Sequence, residues 1–340
     1  MNYYERVIVL WYDIIILILS LFIILLSCEL FTNGIEWMGS RLKLGDGIVG
    51  SVFSAVGTCL PETLIPIIAI FWPLNNKKSI DIGIGAIVGA PFMLATLAFF
   101  ITGLSVLIFC RKRATGIKMK VNKDIIKRDI GFFVLSYSSA IYASFAPNQS
   151  IKYAVCIALI IVYIYYLICT ARKDKFSHRD MDNLYFSEVF RMRARFRLIL
   201  LQVAVALTGI IIGASLFVEK TGNIAERFKL PVLILSLIIT PIATELPEKF
   251  NSVLWIGKNK DTLAMGNITG AMVFQSCIPV VIGILATPWR LDSIAIISSL
   301  LALASASITY LYILLRRKLT PVPLLMGGIF YGIYIMYITW

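Results

Sequence analysis

Two copies of one short motif carry the residues best suited to chemistry in this chain. The first copy reads Gly57-Thr58-Cys59-Leu60-Pro61-Glu62 and the second reads Ala243-Thr244-Glu245-Leu246-Pro247-Glu248, and both lie within long apolar runs. Each copy places a carboxylate directly after a proline, which interrupts the hydrogen bonding of a helix. An ionisable residue within a membrane span indicates a functional site, and broken helices in two repeated halves are how transporters build an ion site at the midplane. The motif therefore predicts cation transport.

The composition predicts an all-α integral membrane protein around this motif. Hydrophobic residues make up 59% of the chain, charged residues 15%, and the mean hydropathy is +0.86. Apolar runs of about 20 residues are long enough to cross a bilayer as helices. Ten such runs are predicted as spans, at 7–31, 47–72, 80–109, 130–146, 151–169, 198–218, 230–256, 262–286, 291–314 and 322–339.

The net charge is +13, and the Lys and Arg residues are distributed unevenly among the connections that join these spans. Odd-numbered connections hold 23 Lys and Arg residues and even-numbered connections hold 7. The positive-inside rule then places the odd connections in the cytoplasm and both termini outside, and the expected location is a prokaryotic plasma membrane. Because this asymmetry explains the charge and no aromatic-basic motif accompanies it, no nucleic-acid partner is expected. Arg191, Arg193, Arg195 and Arg197, just before the sixth span, could contact anionic membrane lipids, or they could serve topology alone, since the charge bias already accounts for them.

The basic cytoplasmic connection 170–197 divides the chain into two halves of five spans, 1–169 and 198–340. The halves align, since Glu29 precedes Glu62 by the same 33 positions by which Ser215 precedes Glu248. An odd number of spans makes the second half enter the membrane from the opposite side. The predicted architecture is thus ten transmembrane helices arranged as two inverted five-helix repeats, which suits alternating access to one midplane site.

These residues resemble the calcium/cation antiporter superfamily, and its sodium/calcium exchanger branch in particular. That branch carries two inverted repeats of the form G-T-S-L-P-E, each followed by G-N-x-x-G-S-N-x-x-N. The later parts read here Gly85-Ala86-Ile87-Val88-Gly89-Ala90-Pro91-Phe92-Met93-Leu94 and Gly266-Asn267-Ile268-Thr269-Gly270-Ala271-Met272-Val273-Phe274-Gln275. The resemblance covers nearly the whole chain and implies the same ten-helix plan with outside termini.

The resemblance also implies a set of cation ligands. Side-chain ligands fall on Glu62, Glu248, Thr58 and Thr244, and backbone carbonyl ligands fall on Ala55 and Pro241. Other positions depart from the family pattern: the motif serines are Cys59, Glu245, Ala90 and Ala271, and the final amides are Leu94 and Gln275. The first half has therefore lost most of its auxiliary oxygen ligands, whereas the second half has gained a carboxylate.

The chemistry of the remaining residues fits a hard cation. Ca²⁺ takes six or more oxygens, and carboxylates supply the densest charge. Glu62, Glu248, Thr58, Thr244, Gln275 and the carbonyls freed by the prolines could together supply such a set. Carboxylates crowded together do not all stay ionised without cations, so protons are alternative ligands.

Glu245 has two interpretations. A helical backbone would bring it close to Glu248, so that the pair binds a proton or an additional cation near neutral pH. Alternatively, its side chain points towards the cytoplasmic mouth and is solvated. Separately, the pairs Gly85/Gly89 and Gly266/Gly270 are interpreted as surfaces for close helix packing and not as ligands.

The predicted function is secondary antiport, with Ca²⁺ or another divalent cation exchanged for Na⁺. The alternatives are coupling to H⁺ or K⁺, and a transport-inactive membrane scaffold. The sequence contains no phosphate-binding glycine loop of the P-loop type, so an ion gradient and not ATP is expected to drive transport. The six cysteines lie in or beside apolar spans without Cys-x-x-Cys spacing, which argues against a zinc site or a disulfide framework. No enzymatic activity and no cofactor is expected.

Overall fold

A computed structural model describes residues 3–41, 59–71, 77–173, 183–228 and 232–339. These residues are helical apart from connections and one isolated antiparallel bridge between Met119 and Leu319. The α-helices, in chain order, are α1 Tyr3–Arg41, α2 Leu60–Phe71, α3 Lys77–Met93, α4 Phe99–Phe109, α5 Lys123–Phe145, α6 Gln149–Lys173, α7 Tyr185–Val189, α8 Phe196–Phe228, α9 Val232–Thr244, α10 Leu246–Gly257, α11 Asp261–Ala286, α12 Ser293–Arg316 and α13 Pro321–Thr339. A π-helical turn, Leu94–Ala98, joins α3 to α4 within one continuous rod.

Seven stretches of helix in the described part of the chain are long and apolar enough to cross a membrane. Large apolar side chains such as Phe22, Ile161 and Leu315 lie exposed on the outside of the bundle. So many exposed apolar side chains suit contact with lipid and not with water. The protein is therefore an α-helical membrane protein, which confirms this part of the prediction.

The predicted span ends at 31 and 218 are wrong, because α1 and α8 both continue about ten residues further. The two helices lie side by side, and polar side chains of one form hydrogen bonds with polar groups of the other. Gln202 Nε2 donates to the Leu30 carbonyl and to Asn33 Oδ1, each at 2.9 Å. Near the end of α8, Arg227 pairs with Asp13 of α1 at 3.0 Å. Such pairing lets polar residues continue each helix beyond its apolar stretch.

The polar contacts that join distant segments sort the ends of the helices into two groups. At one end, Arg41 donates to the Ala194 carbonyl at 2.7 Å, and Arg113 forms a buried ion pair with Asp261. At the other end, Lys152 Nζ donates to the Pro288 carbonyl at 2.6 Å. The first two contacts join odd connections to one another, and the third joins two even connections. This grouping is the one that strictly alternating spans require.

The centre of the bundle is formed by α3, the π-helical turn and α11, whose side chains are nearly all buried. Helix α3 packs against α2 and α9, while α11 packs against α5 and α6. The π-helical turn places the Ala95 carbonyl where Ser305 Oγ on α12 donates to it at 2.6 Å. This π-helical turn replaces the regular helix that the apolar run 80–109 predicts around Leu94.

The glycine pair on α3 allows its close contact with α9. A Cβ at Gly89 would lie 2.4 Å from the Leu237 carbonyl oxygen, and one at Gly85 would lie 2.9 Å from that of Leu233. The prediction of a packing surface is confirmed for this pair. On α11, no described atom lies within 4 Å of a Cβ at Gly266, so the described residues show no matching close contact there.

Gly89→Ala should therefore weaken the fold, because a methyl group cannot fit against backbone without moving α3 from α9. We expect a loss of about 1–3 kcal/mol, the usual cost of overpacking. Gly332→Ala is the matched control, since no described atom lies within 4 Å of its Cβ and alanine favours a helix more than glycine does. Thermal unfolding of both variants in detergent would check this. Equal melting temperatures would show that the α3–α9 contact is looser than described.

Candidate cation-binding site

The second motif copy interrupts a helix, as predicted. Helix α9 ends at Thr244 and α10 begins at Leu246, with Glu245 between them at φ −89° and ψ 10°. Pro247 lies in the first turn of α10, where its missing N–H costs nothing to that helix but cannot continue α9. At this break, Thr244 and Glu245 are both buried within the bundle.

Glu245 is buried and ion-paired. Its side chain is 0% exposed, and its Oε2 atom lies 3.1 Å from Lys249 Nζ one turn further along. The interpretation of Glu245 as a solvated residue at the cytoplasmic mouth is therefore wrong, because no part of its side chain reaches water. The side chain of Glu248 lies outside the described residues, so the proposed proximity of Glu245 and Glu248 stays a prediction.

Thr244 and Pro241 contribute oxygens beside this ion pair. Thr244 is fully buried, and its hydroxyl donates to the Thr240 carbonyl at 3.0 Å, which leaves the hydroxyl oxygen able to face a cation. The Pro241 carbonyl accepts the Glu245 N–H at 3.1 Å and Lys249 Nζ at 3.2 Å. This predicted carbonyl ligand is thus already in contact with a positive charge.

Glu62 lies in the first turn of α2 and is 3% exposed. Its burial matches the prediction that the first motif copy holds a carboxylate inside the membrane. The helix around it is regular, because Thr63 N and Thr63 Oγ1 both donate to the Cys59 carbonyl, at 3.2 and 2.7 Å. Ala55 and Thr58, also predicted as ligands, lie outside the described residues.

Gln275 lies in the middle of α11 and is 1% exposed. Among the described residues, its side-chain carbonyl oxygen has no hydrogen-bond donor. A buried amide oxygen without a donor is costly, and a cation would satisfy it. In the first half, the matching position is the apolar Leu94 at the start of the π-helical turn.

The helices that carry these residues contact one another. Helix α2, which holds Glu62, packs against both α9 and α11, which hold Thr244 and Gln275. The structure therefore brings both halves of the chain to one buried polar region. Within the described side chains, no three His, Cys, Asp or Glu groups come close enough to form a metal site of their own. Amide, hydroxyl and carbonyl oxygens can also serve as ligands of a hard cation.

Lys249 is the residue that the sequence analysis missed. The signal was present, because Glu245 and Lys249 are four positions apart, the spacing at which opposite charges meet on one helical face.

The profile of the sodium/calcium exchanger protein family matches residues 12–171 and 198–340. This chain belongs to that family. The gap between the two matched segments falls in the predicted basic connection 170–197. Members of the family are secondary transporters and not enzymes, which agrees with the expectation for this chain.

Known relatives and solved structures agree with this family at low sequence identity. The inner membrane protein YrbG of Escherichia coli strain K12 is 21% identical over 309 residues, which cover 90% of each chain. The structure of the H⁺/Ca²⁺ exchanger CAX matches with a TM-score of 0.72 at 15% identity, over 96% of this chain and 86% of that one. A structure of the sodium–calcium exchanger NCX_Mj matches with a TM-score of 0.57 at 18% identity, over 96% and 98% of the two chains. The two solved structures establish the exchanger fold.

Proposed function

We propose that this protein is a secondary antiporter that exchanges Ca²⁺, or another divalent cation, for Na⁺ across a prokaryotic plasma membrane. The observation that carries the proposal is the buried carboxylate of Glu62 on α2, a helix that packs against α9 just before the break and against α11, which holds the buried amide of Gln275. Burial of a carboxylate in this surrounding is unfavourable unless a positive charge accompanies it. Family membership supports a transported cation as a ligand of this carboxylate.

The physical basis of exchange follows from that cost. A site with two ionised glutamates, Glu62 and Glu248, is stable only when a cation occupies it. The protein can therefore change from one access state to the other when the site is loaded, but not when it is empty. One cation must therefore replace another before each return step. This coupling by charge is what makes a transporter an antiporter.

Two inverted repeats would provide the two access states. Helices α1 and α8 run antiparallel, because Asp13 near the start of α1 pairs with Arg227 near the end of α8 at 3.0 Å. The separation of odd and even connections to opposite ends supports the same plan of ten alternating spans. We infer that both termini lie outside the cell, as the distribution of basic residues predicts.

The pairing of Glu245 favours Na⁺ over H⁺ as the coupling ion. Proton coupling was an alternative because a second carboxylate beside Glu248 would readily carry a proton. Because Lys249 Nζ lies 3.1 Å from Glu245 Oε2, this carboxylate already faces a positive charge, which argues against its use as a proton carrier. A transport-inactive scaffold is disfavoured because it has no use for a buried carboxylate at Glu62.

Purified protein in liposomes would test the proposed function. Uptake of ⁴⁵Ca²⁺ should follow an outward Na⁺ gradient and should be much slower with an equal K⁺ or H⁺ gradient. Liposomes without protein supply the control. If an H⁺ gradient drove uptake as fast as a Na⁺ gradient, H⁺ would take the place of Na⁺ as the proposed coupling ion. If no gradient drove a flux of divalent cations, antiport would be rejected.

The orientation can be tested by labelling single cysteines in intact cells, on a background without native cysteines. Asn148 and Lys258 are both exposed and lie in an even and an odd connection. An impermeant maleimide should modify Asn148→Cys readily and Lys258→Cys only after the membrane is permeabilised. The reverse pattern would place both termini in the cytoplasm.

A further inference from the structure

A basic cavity lies at the end of the bundle that holds the odd-numbered connections. It has a volume of about 460 Å³, and we call it the basic pocket. Its basic lining residues are Lys120, Lys123, Arg317 and Lys318, and none of the described residues that line it is acidic. Positive charges gathered in one concave place repel one another, so the basic pocket favours an anionic ligand.

The backbone around the basic pocket is held in place by contacts between three connections. Lys120 N donates to Asp261 Oδ2 at 2.7 Å, and Asn122 N donates to Thr262 Oγ1 at 3.0 Å, so this segment is fixed to the start of α11. The isolated antiparallel bridge joins the same segment to the connection between α12 and α13. Asp261 is itself paired with Arg113, so its charge is already balanced. The basic residues are therefore brought together by a fixed backbone.

Apolar surface lies beside the basic pocket. Ile117, Leu315 and Val322 are 56%, 79% and 61% exposed, and each lies within three residues of a residue that lines the pocket. Exposed apolar side chains at the end of a membrane helix suit contact with the acyl chains of lipids. The surroundings of the pocket therefore favour an amphiphilic anion over a soluble one.

A groove begins one helical turn from the basic pocket. Helices α5 and α12 pack against each other, and the groove between them has a volume of about 490 Å³. Lys127 lines the groove and follows Lys123 of the pocket by four positions, so the two lysines lie on the same face of α5. Away from this charged end, the groove is lined by Gly131, Phe132, Leu135 and Tyr310. A basic pocket followed by an apolar groove matches a phosphate group followed by an acyl chain.

We propose that the basic pocket binds the phosphate group of an anionic phospholipid of the cytoplasmic leaflet, and that one acyl chain of this lipid lies in the groove between α5 and α12. Basic pockets between membrane helices on the cytoplasmic side bind acidic lipid headgroups. The distribution of Lys and Arg assigns this end of the bundle to the cytoplasm. The site is separate from the arginines at 191–197, which line neither cavity. A soluble phosphate would use the pocket alone and would gain nothing from the groove.

Lipid binding can be measured by native mass spectrometry of the full chain in neutral detergent, titrated with phosphatidylglycerol. This lipid should bind at least about 10-fold more tightly than phosphatidylcholine, whose headgroup has no net charge. Lys120→Gln combined with Lys318→Gln should weaken phosphatidylglycerol binding roughly 30-fold, because each basic residue contributes about fivefold. The matched control is Arg111→Gln combined with Lys112→Gln, which removes two exposed charges from the same connection but outside the pocket. It should weaken binding less than about threefold.

A second pair of variants tests the groove without changing any charge. Gly131→Leu places a large side chain in the groove and should weaken phosphatidylglycerol binding about 10-fold, the value of one or two buried methylene groups. Gly131→Ala is the matched control, because its Cβ would lie 3.7 Å from Tyr310 Cε2, an ordinary contact, and it should bind the lipid like the wild type. Glycerol phosphate, which has the phosphate but no acyl chain, should not displace the lipid at an equal concentration.

Several results would overturn the proposal. Equal affinities for phosphatidylglycerol and phosphatidylcholine would show that the pocket does not select an anion. Equal losses in the two double variants would show a diffuse attraction to surface charge. Displacement by an equal concentration of glycerol phosphate, or unchanged binding by Gly131→Leu, would assign the pocket to a soluble anion. Each measurement concerns binding alone, so its outcome does not depend on which cations the protein transports.

Discussion

Glu62→Gln should abolish cation exchange while leaving the protein folded. Glutamine keeps the shape of the side chain but removes a charge that offsets a dehydrated cation in the membrane interior. Removing one partner of a buried charge pair costs about 3–5 kcal/mol, so the rate of exchange should fall at least roughly 100-fold. The same loss is expected for Glu248→Gln. The measurement is ⁴⁵Ca²⁺ uptake in liposomes that contain equal amounts of monodisperse protein.

Glu29→Gln provides the matched control for these variants. Glu29 lies on α1, is exposed and accepts a hydrogen bond from the Tyr185 hydroxyl at 2.8 Å. Its loss should change uptake less than twofold. If Glu62→Gln took up Ca²⁺ at a near-normal rate, comparable with that of Glu29→Gln, the assignment of Glu62 to the site would be rejected.

Asp261→Asn should destabilise the protein more than any exposed charge substitution. Arg113 and Asp261 form a bidentate pair at 2.7 and 2.8 Å, and both side chains are fully buried. Arg113 also donates to the Ile256 carbonyl at 2.7 Å, and Lys120 N donates to Asp261 Oδ2 at 2.7 Å. Neutralising the carboxylate leaves a buried guanidinium without its counter-charge, at a cost of about 3–5 kcal/mol.

The matched control is Asp124→Asn, which breaks an exposed ion pair with Lys127 that spans 3.5 Å. Exposed pairs contribute about 0–1 kcal/mol, so this variant should melt close to the wild type. Thermal unfolding in detergent would compare the two. Similar melting temperatures for Asp261→Asn and the wild type would contradict the buried pair.

The sequence predicted the features of this fold that depend on local pattern. Apolar length identified the seven stretches of the described chain that could cross a membrane, and Pro247 identified the break between α9 and α10, because both signals are local. The ion pair of Arg113 and Asp261 joins residues 148 positions apart, and no local pattern indicates it. The π-helical turn at Leu94 likewise depends on how α12 and α13 pack against it.

The candidate site was predicted in its residue types but not in its charge. The burial of Glu62, Thr244 and Gln275 follows from their positions within apolar runs. The pairing of Glu245 with Lys249 also has a local signal, their spacing of four positions. The family motif ends at the position of Glu248, so the resemblance gives no information on Lys249.

The contact between α3 and α9 has a consequence for how the protein is made. The two helices belong to different halves of the chain, so the surface around Gly85 and Gly89 has no partner when the ribosome has released only the first half. Until the seventh span is synthesised, that surface must contact lipid or an insertion factor. The first half alone is therefore an incomplete assembly intermediate, and its burial of Glu62 is completed only when the second half folds around it.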